Sequence, residues 1–329
     1  YADVIVDLAN RRAFADIAIE LRKRSLDPTN TSESVAQWLD AKSQQVGIAE
    51  DCDVVTLYQA ARKALNRTVE NSSSRYAVGI PCGLHGIDES TGGLYPGELN
   101  VIAARPSMGK TSLGIQQALY SASNNRTSLF ISLEMHDWEL AQRITAARAQ
   151  VNSSDLRSGD VSQSEFDRVE EAVKAMEAVP LYVWRPKKAT IERIRAKCRL
   201  MKATTGLDMV IIDYLTKIAA TNPKEVRHEQ IEHQIGSAKD LASELDVPVV
   251  MLAQARRTEK NRPVRLEDLY GSSTIEADAD SVWMIHRETR ASTEATIEIA
   301  KNRFGATGSR RFGYDLNTTT FYDVEEDVD

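Results

Sequence analysis

The chain has 329 residues and a formal net charge of −7, about twice the usual size of one domain, so a large α/β domain with an appendage, or two domains, is expected. Hydrophobic residues make up 42% and charged residues 27%, the balance of a folded globular protein, which excludes bulk disorder. The acidic excess argues against a surface coated in positive charge for indiscriminate nucleic-acid binding and leaves room only for a local basic channel.

The first residues, YADVIVDLANRR, lack the order of a signal peptide, and no apolar run approaches the roughly 18 residues of a spanning helix, so the chain reads as cytoplasmic with no membrane contact. Val4, Ile5, Leu8, Phe14, Ile17, Ala18 and Leu21 recur near helical spacing, and Asp27-Pro28 supplies a stop; the pattern predicts an amphipathic helix over about 2–26. Two further helical patterns follow, around Val35, Trp38, Leu39 and Val46 and around Val54, Leu57, Tyr58, Ala61 and Leu65. The polar stretch ENSSSR at 70–75 marks a boundary between a helical region, 1–75, and a larger domain, 76–329. An apolar helix face in so small a region has to be buried on its own domain or on a neighbouring subunit.

From about residue 80 short apolar runs alternate with longer amphipathic stretches. ELNVIAA (98–104), TSLFISL (127–133), LYVW (181–184), DMVIID (208–213) and VPVVMLA (247–253) predict buried strands of a mostly parallel sheet, with helices near 110–123, 137–150, 163–178, 189–203 and 228–245. After residue 280 SVWMIH, ATIEIAK, SRRFGYDL and TTTFYDV predict strands closing in hairpins. Cys52, Cys82 and Cys198 are far apart and odd in number, which disfavours a disulfide framework or a zinc ribbon. His228 and His233 point about 140° apart on a helix and read as surface residues.

ARPSMGKT, residues 104–111, lies between a predicted strand and a predicted helix, as a Walker A phosphate loop must. Such a loop wraps backbone N–H groups round the β-phosphate, sends Lys110 to the β- and γ-phosphates and gives the Thr111 hydroxyl to Mg²⁺. Ala104 stands where the first glycine is usual, whereas Gly109 beside the lysine is retained. Asp213 closes an apolar strand, where a metal-binding acid is wanted, and Glu134 in SLEM ends another, placed to activate water.

These segments together resemble the DnaB-type replicative helicases, hexameric motors with a RecA-like P-loop domain. The resemblance rests on GLHGIDESTGGLYPGELNVIAARPSMGKTS, SLEM, IIDYL, LAQARR, RPVRLEDL followed by SSTIEADAD, and KNRFGATG, in the family's order over most of the chain. It implies a RecA-like NTPase fold with C-terminal hairpin strands, preceded by a linker helix that docks on the next subunit. Implied site residues are Ser107, Met108, Gly109, Lys110, Thr111 and Ser112 around ATP, with Thr111 and Asp213 on Mg²⁺ and Glu134 activating water. Gln254 corresponds to the γ-phosphate sensor, Lys301 and Arg303 to a basic pair inserted into the neighbour's site, and Arg143 and Arg287 to arginines near the nucleotide. The family's DNA loop carries an arginine; here it reads Tyr270, Gly271, Ser272, Ser273, Thr274, with that charge missing, and Arg256, Arg257, Lys260, Arg262 and Arg265, clustered after the sensor strand, are candidates to share the DNA contact. The activity implied is ATP-driven movement of a hexameric ring along single-stranded DNA with unwinding of the duplex at a fork, in contact with a loader and a primase. A RecA- or RadA-like recombination or branch-migration ATPase is the alternative on the same fold; the linker helix and IEADAD favour the helicase.

Overall fold

The structure is a computed structural model that describes residues 2–31, 34–35, 38–39, 42, 56–73, 79–220, 226–256 and 262–324. The chain divides into two compact units, Tyr1–Ser73 and Ser74–Asp329. In the first, helix α1 spans Ala2–Leu26 and helix α2 spans Leu57–Ser73. Phe14, Ile19 and Leu26 are each more than half exposed, so the described part of α1 does not gather its apolar residues on one covered face. Helix α2 runs into the polar 70–75 stretch, because Glu70, Asn71, Ser72 and Ser73 continue its hydrogen-bonded turn rather than break it. Of the second helical pattern, Val35, Trp38 and Leu39 are helical, whereas Val46, with Cys52 and Val54, lies outside the described residues.

The second unit is built on a nine-stranded sheet in the order β3-β2-β4-β5-β1-β6-β7-β8-β9. In chain order it holds helix α3 (His85–Thr91), β1 (Leu99–Ala104), α4 (Lys110–Ser123), β2 (Ser128–Ser132) and α5 (Asp137–Ala149). Next come α6 (Ser153–Ser158), α7 (Gln163–Ala175), β3 (Leu181–Trp184), α8 (Ile191–Thr204), β4 (Met209–Asp213), α9 (Arg227–Leu245) and β5 (Val249–Gln254). The chain then passes through α10 (Ser272–Asp278), β6 (Ser281–His286), β7 (Glu294–Asn302), β8 (Gly308–Asp315) and β9 (Thr320–Asp323). Strands β1 to β6 pair in parallel, and β7, β8 and β9 add an antiparallel meander.

Buried on both faces, the central strands are apolar throughout and sort their side chains by alternation. Leu99, Val101 and Ala103 of β1 join Ile194 and Cys198 of α8 and Ile235 and Leu241 of α9 on one side. Ile102 and Ala104 join Leu113 and Ala118 of α4, Leu140 of α5 and Ile87 of α3 on the other. Truncating a core side chain such as Phe130, 1% exposed, would cost about 3–5 kcal/mol.

Helix α7 begins with a reciprocal cap in which the Glu165 N–H bonds the Ser162 hydroxyl (3.3 Å) and the Ser162 N–H bonds the Glu165 carboxylate (2.8 Å). It stops at Ala175, short of the expected 178, as the chain turns through Met176 and Glu177 toward Val179-Pro180, where the residue before proline leaves the helical region. Helices α3, α6 and α10 are 7, 6 and 7 residues long, below the length that periodicity reveals.

Candidate functional site

The loop after β1 curls through two left-handed residues, Ser107 at φ 67° and Gly109 at φ 101°. A Cβ on Gly109 would lie 2.7 Å from the Phe321 ring, so the position demands glycine for space as well as for conformation. Behind it α4 begins at Lys110; its first-turn N–H groups lack helical acceptors and carry the positive end of the helix dipole, which makes the loop a receptor for phosphate.

The β4 strand delivers Asp213 to this loop. Its carboxylate, 1% exposed, takes the Lys110 ammonium at 2.6 Å on one oxygen and the Thr111 hydroxyl at 2.9 Å on the other. The ammonium also stands 4.3 Å from the centre of the Tyr214 ring. In β2 the register partner of Asp213 is Ser132, and the Leu133 N–H bonds the Asp213 carbonyl (2.8 Å), so Glu134 emerges at the same edge. Gln254, last residue of β5, pairs in register with Ala104, last residue of β1. The carboxyl ends of four adjacent strands thus bring together Lys110, Thr111, Asp213, Glu134 and Gln254. Glu134 is exposed, and neither its carboxylate nor the Gln254 amide bonds another side chain or the backbone among the described residues. Arg143, half-buried on α5, is likewise uncommitted there.

Ser112 and Arg287 take other partners. The Ser112 hydroxyl lies 3.3 Å from the Tyr314 hydroxyl. Arg287, 4% exposed, stacks 3.8 Å over the Tyr314 ring and donates to the Arg290 carbonyl (2.7 Å) and the Ser292 carbonyl (2.7 Å). Tyr314 in turn meets Phe321 edge-to-face with centroids 4.8 Å apart, and Gln116 of α4 exchanges two 2.9 Å bonds with the Phe321 backbone. The terminal hairpin therefore backs the phosphate loop. Sequence reading missed Gln116, Tyr314 and Phe321 here, because 205 residues separate Gln116 from Phe321 and no local pattern announces the pairing.

Lys301 and Arg303 lie at the opposite end of the sheet. Lys301 donates to the Glu276 and Ala277 carbonyls at the end of α10; burial first, then the Arg303 charge, pulls its ammonium below the ordinary lysine pKa, against the pull of Asp280, Glu276 and Asp278. Arg303 reaches Asp280 at 3.3 Å. Asp280, 1% exposed, also accepts from Lys239 (2.6 Å) and the Leu99 N–H (2.8 Å). Since the Asp280 N–H bonds the Leu99 carbonyl, Arg303 sits level with the start of β1. The five-residue step from Leu99 to Ala104 is about 16 Å along the strand, farther than an arginine side chain reaches.

The segment Tyr270–Ser273 follows a bridge between Ala255 and Leu269. Tyr270 is 43% exposed, with the Arg256 guanidinium 5.0 Å from its ring centre. Gly271, at φ 71°, caps the start of α10, and a Cβ there would lie 2.4 Å from Ile231. Ser272 is half-buried and Ser273 exposed. Of the neighbouring cations, Arg262 grips Asp268 at 2.6 Å and Arg265 lies 3.7 Å from Glu267; Arg257 and Lys260 lie outside the described residues. On α8, Arg195 and Arg199 both bond Glu244 of α9, which ties the two helices together. His228 and His233 are exposed and face Glu232 and Glu192.

Among the described residues no helix is long and apolar enough to cross a membrane, and no cluster of three or more His, Cys, Asp or Glu side chains could hold a metal by itself. Residues 79–323 match the DnaB-like helicase C terminal domain family. The chain is 33% identical over 327 residues to replicative DNA helicase DnaB of Treponema pallidum (strain Nichols), covering 98% of this chain and 74% of that one. It is 31% identical over 337 residues to replicative DNA helicase DnaB of Leifsonia xyli subsp. xyli (strain CTCB07), with coverages of 98% and 74%. Among solved structures, an ATPase domain superposes with a TM-score of 0.77 at 26% identity, covering 83% of this chain and all of that one. A DnaB-like replicative helicase, described with its interactions with primase, shares the fold at a TM-score of 0.80 and 24% identity, with coverages of 98% and 78%. A RecA-like sheet with a phosphate loop at its carboxyl edge, matched along this length, places the chain in the DnaB-like family of replicative DNA helicases, oligomeric enzymes that hydrolyse nucleoside triphosphate to unwind DNA.

Proposed function

We propose that the fuel is ATP with Mg²⁺, bound at a seam between two copies of this chain in a hexameric ring that travels on single-stranded DNA. The observation that carries this reading is the placement of Arg303 about 16 Å along the sheet from its own phosphate loop, tethered at the far end by Asp280 (3.3 Å). Arg303 and Lys301 then serve the triphosphate of the next subunit, neutralising charge on the transferring phosphoryl group.

Within one subunit, the loop from Ser107 to Gly109 and the first turn of α4 cradle the phosphates, Lys110 moves from Asp213 to the β- and γ-phosphates, and Gln254 contacts the γ-phosphate. The metal donors fit: a buried carboxylate beside a hydroxyl, oxygen ligands only, suits a hard cation that keeps waters and phosphate oxygens as its other ligands. In this structure the Lys110 ammonium supplies the positive charge that Asp213 otherwise lacks. When bound at Thr111 and Asp213, Mg²⁺ neutralises charge on the phosphate oxygens. Glu134 takes the proton of the attacking water as its oxygen bonds the γ-phosphorus and the bond from that phosphorus to the β,γ-bridging oxygen breaks, with ADP as the leaving group. Arg143, on α5 beyond SLEM, serves as a nucleotide-contacting arginine, whereas Arg287 acts through Tyr314, which it supports from behind. Tyr270, Gly271, Ser272 and Ser273 meet the DNA strand by stacking and phosphate contact, with Arg256 as the adjacent charge. The linker helix α1 docks on the neighbouring subunit, and the ring works in the cytoplasm with a loader and a primase.

The test is displacement of a strand from a forked duplex with ATP, using the chain doped with Arg303→Ala copies. A finger acting in trans makes activity fall faster than the wild-type fraction; strictly proportional loss would overturn the seam.

A further inference from the structure

Arg105, the residue after β1, is half-buried, and its guanidinium donates to the Arg262 carbonyl (2.9 Å) across 157 residues of sequence. Arg262 in turn closes a two-pronged pair with Asp268, at 2.6 and 2.8 Å. Asp268 is 6% exposed and its carboxylate also receives the Arg265 N–H (2.8 Å). Its carbonyl accepts the Arg256 N–H (2.8 Å), next to the Ala255–Leu269 bridge that extends β5 beyond Gln254. Burial pushes the Asp268 carboxyl up, but the Arg262 bonds, the Arg265 N–H and the Arg105 charge outweigh it and hold it below the usual carboxylate range, so the pair is ionic at neutral pH. Tyr270 stands two residues on. The phosphate loop, the end of the sensor strand and the base of the DNA loop are therefore joined by directional bonds through two residues, Arg262 and Asp268, by backbone carbonyls as well as by the side-chain pair.

We propose that Arg105, Arg262 and Asp268 are positioning residues that carry the state of the nucleotide loop to Tyr270–Ser273, making affinity for single-stranded DNA depend on the nucleotide bound. The proposal rests on the reading of Tyr270–Ser273 as the DNA contact. Two parallel bonds in a planar arginine–carboxylate pair fix orientation as well as distance, so a shift of the loop at Arg105 is passed on rather than absorbed by side-chain rotation. Linkage makes the effect reciprocal: DNA tightens nucleotide binding by the same factor as nucleotide tightens DNA binding.

The experiment measures anisotropy of a labelled oligo-dT on the chain with a non-hydrolysable ATP analogue and with ADP, for wild type, Asp268→Asn and Arg262→Lys. Wild type is expected to show a ratio of affinities of about fivefold or more, and both variants a ratio close to one, with the matching loss of DNA-induced tightening of the ATP analogue. Should Asp268→Asn fail to fold, Arg262→Lys decides, since it keeps the charge and loses the two-pronged geometry. Variants that lose thermal stability or affinity equally in both nucleotide states, with the ratio kept, would reduce the pair to a brace and overturn the proposal. A wild-type chain that binds no oligo-dT would instead remove the DNA-loop reading beneath it.

Discussion

Asp213 and Asp280 are each 1% exposed, and each holds a lysine at 2.6 Å, yet they stand at opposite ends of one sheet. Asp213 is held by side chains at the start of α4, Lys110 and Thr111, groups that on the proposed reading change partners when a triphosphate enters. Asp280 is held partly by backbone, the Leu99 N–H, together with Lys239 and Arg303. On the proposed reading, the same chemistry thus builds an exchangeable pair where the triphosphate binds and a fixed joint of β1, β6 and β7 where the finger is carried. A buried carboxylate alone does not mark a catalytic site; what its partners are free to do does.

The largest expected effect is at the exchangeable end. Lys110→Ala should lower turnover about a thousandfold, as loss of a preorganised charge at a phosphoryl group does; a steady-state ATPase rate near wild type would break the distinction. At the fixed end Asp280→Ala should cost about 2–3 kcal/mol in urea unfolding, since the buried Leu99 N–H loses its acceptor, and Asp280→Asn should cost less by keeping it. Equal costs for the two would show that charge rather than the backbone bond makes the joint. The third effect concerns Glu98, whose carboxyl is pushed from 4.5 up to about 7 by burial and by Asp280, against the pull of Lys239. Its folded pKa lies above the unfolded one, so the folded state holds a proton the unfolded chain has lost, and stability falls as pH rises from about 4.5 to about 7. Glu98→Gln should remove that part of the slope in urea midpoints measured at pH 5 and pH 7.5; an unchanged slope would detach Glu98 from the cluster.

Much of the fold was legible because it is written locally. The apolar runs at 98–104, 127–133, 181–184, 208–213 and 247–253 became β1 to β5 within a residue or two, since strands buried on both faces admit almost nothing else. ARPSMGKT announced a strand, a turn and a helix in eight residues. Helix α7 ended early and α2 ran on, because helix ends depend on turns and caps that periodicity does not encode. Arg262 illustrates the limit at the site: as one of several cations after β5 it reads as a DNA contact, but the fold gives it Asp268.

The sequence by itself determined which residue types could meet a triphosphate and in what order along the chain, for a phosphate loop and strand-end acids are short-range patterns constrained by backbone geometry. Only tertiary structure decided which of them share an end of the sheet. Strand order and direction put Asp213, Glu134 and Gln254 beside Lys110, put Arg303 on Asp280 at the far end, and turned Ser112 and Arg287 to the aromatic hairpin. Those pairings join residues 23 to 202 positions apart, a separation at which no local pattern carries the information and the packing of the whole sheet does.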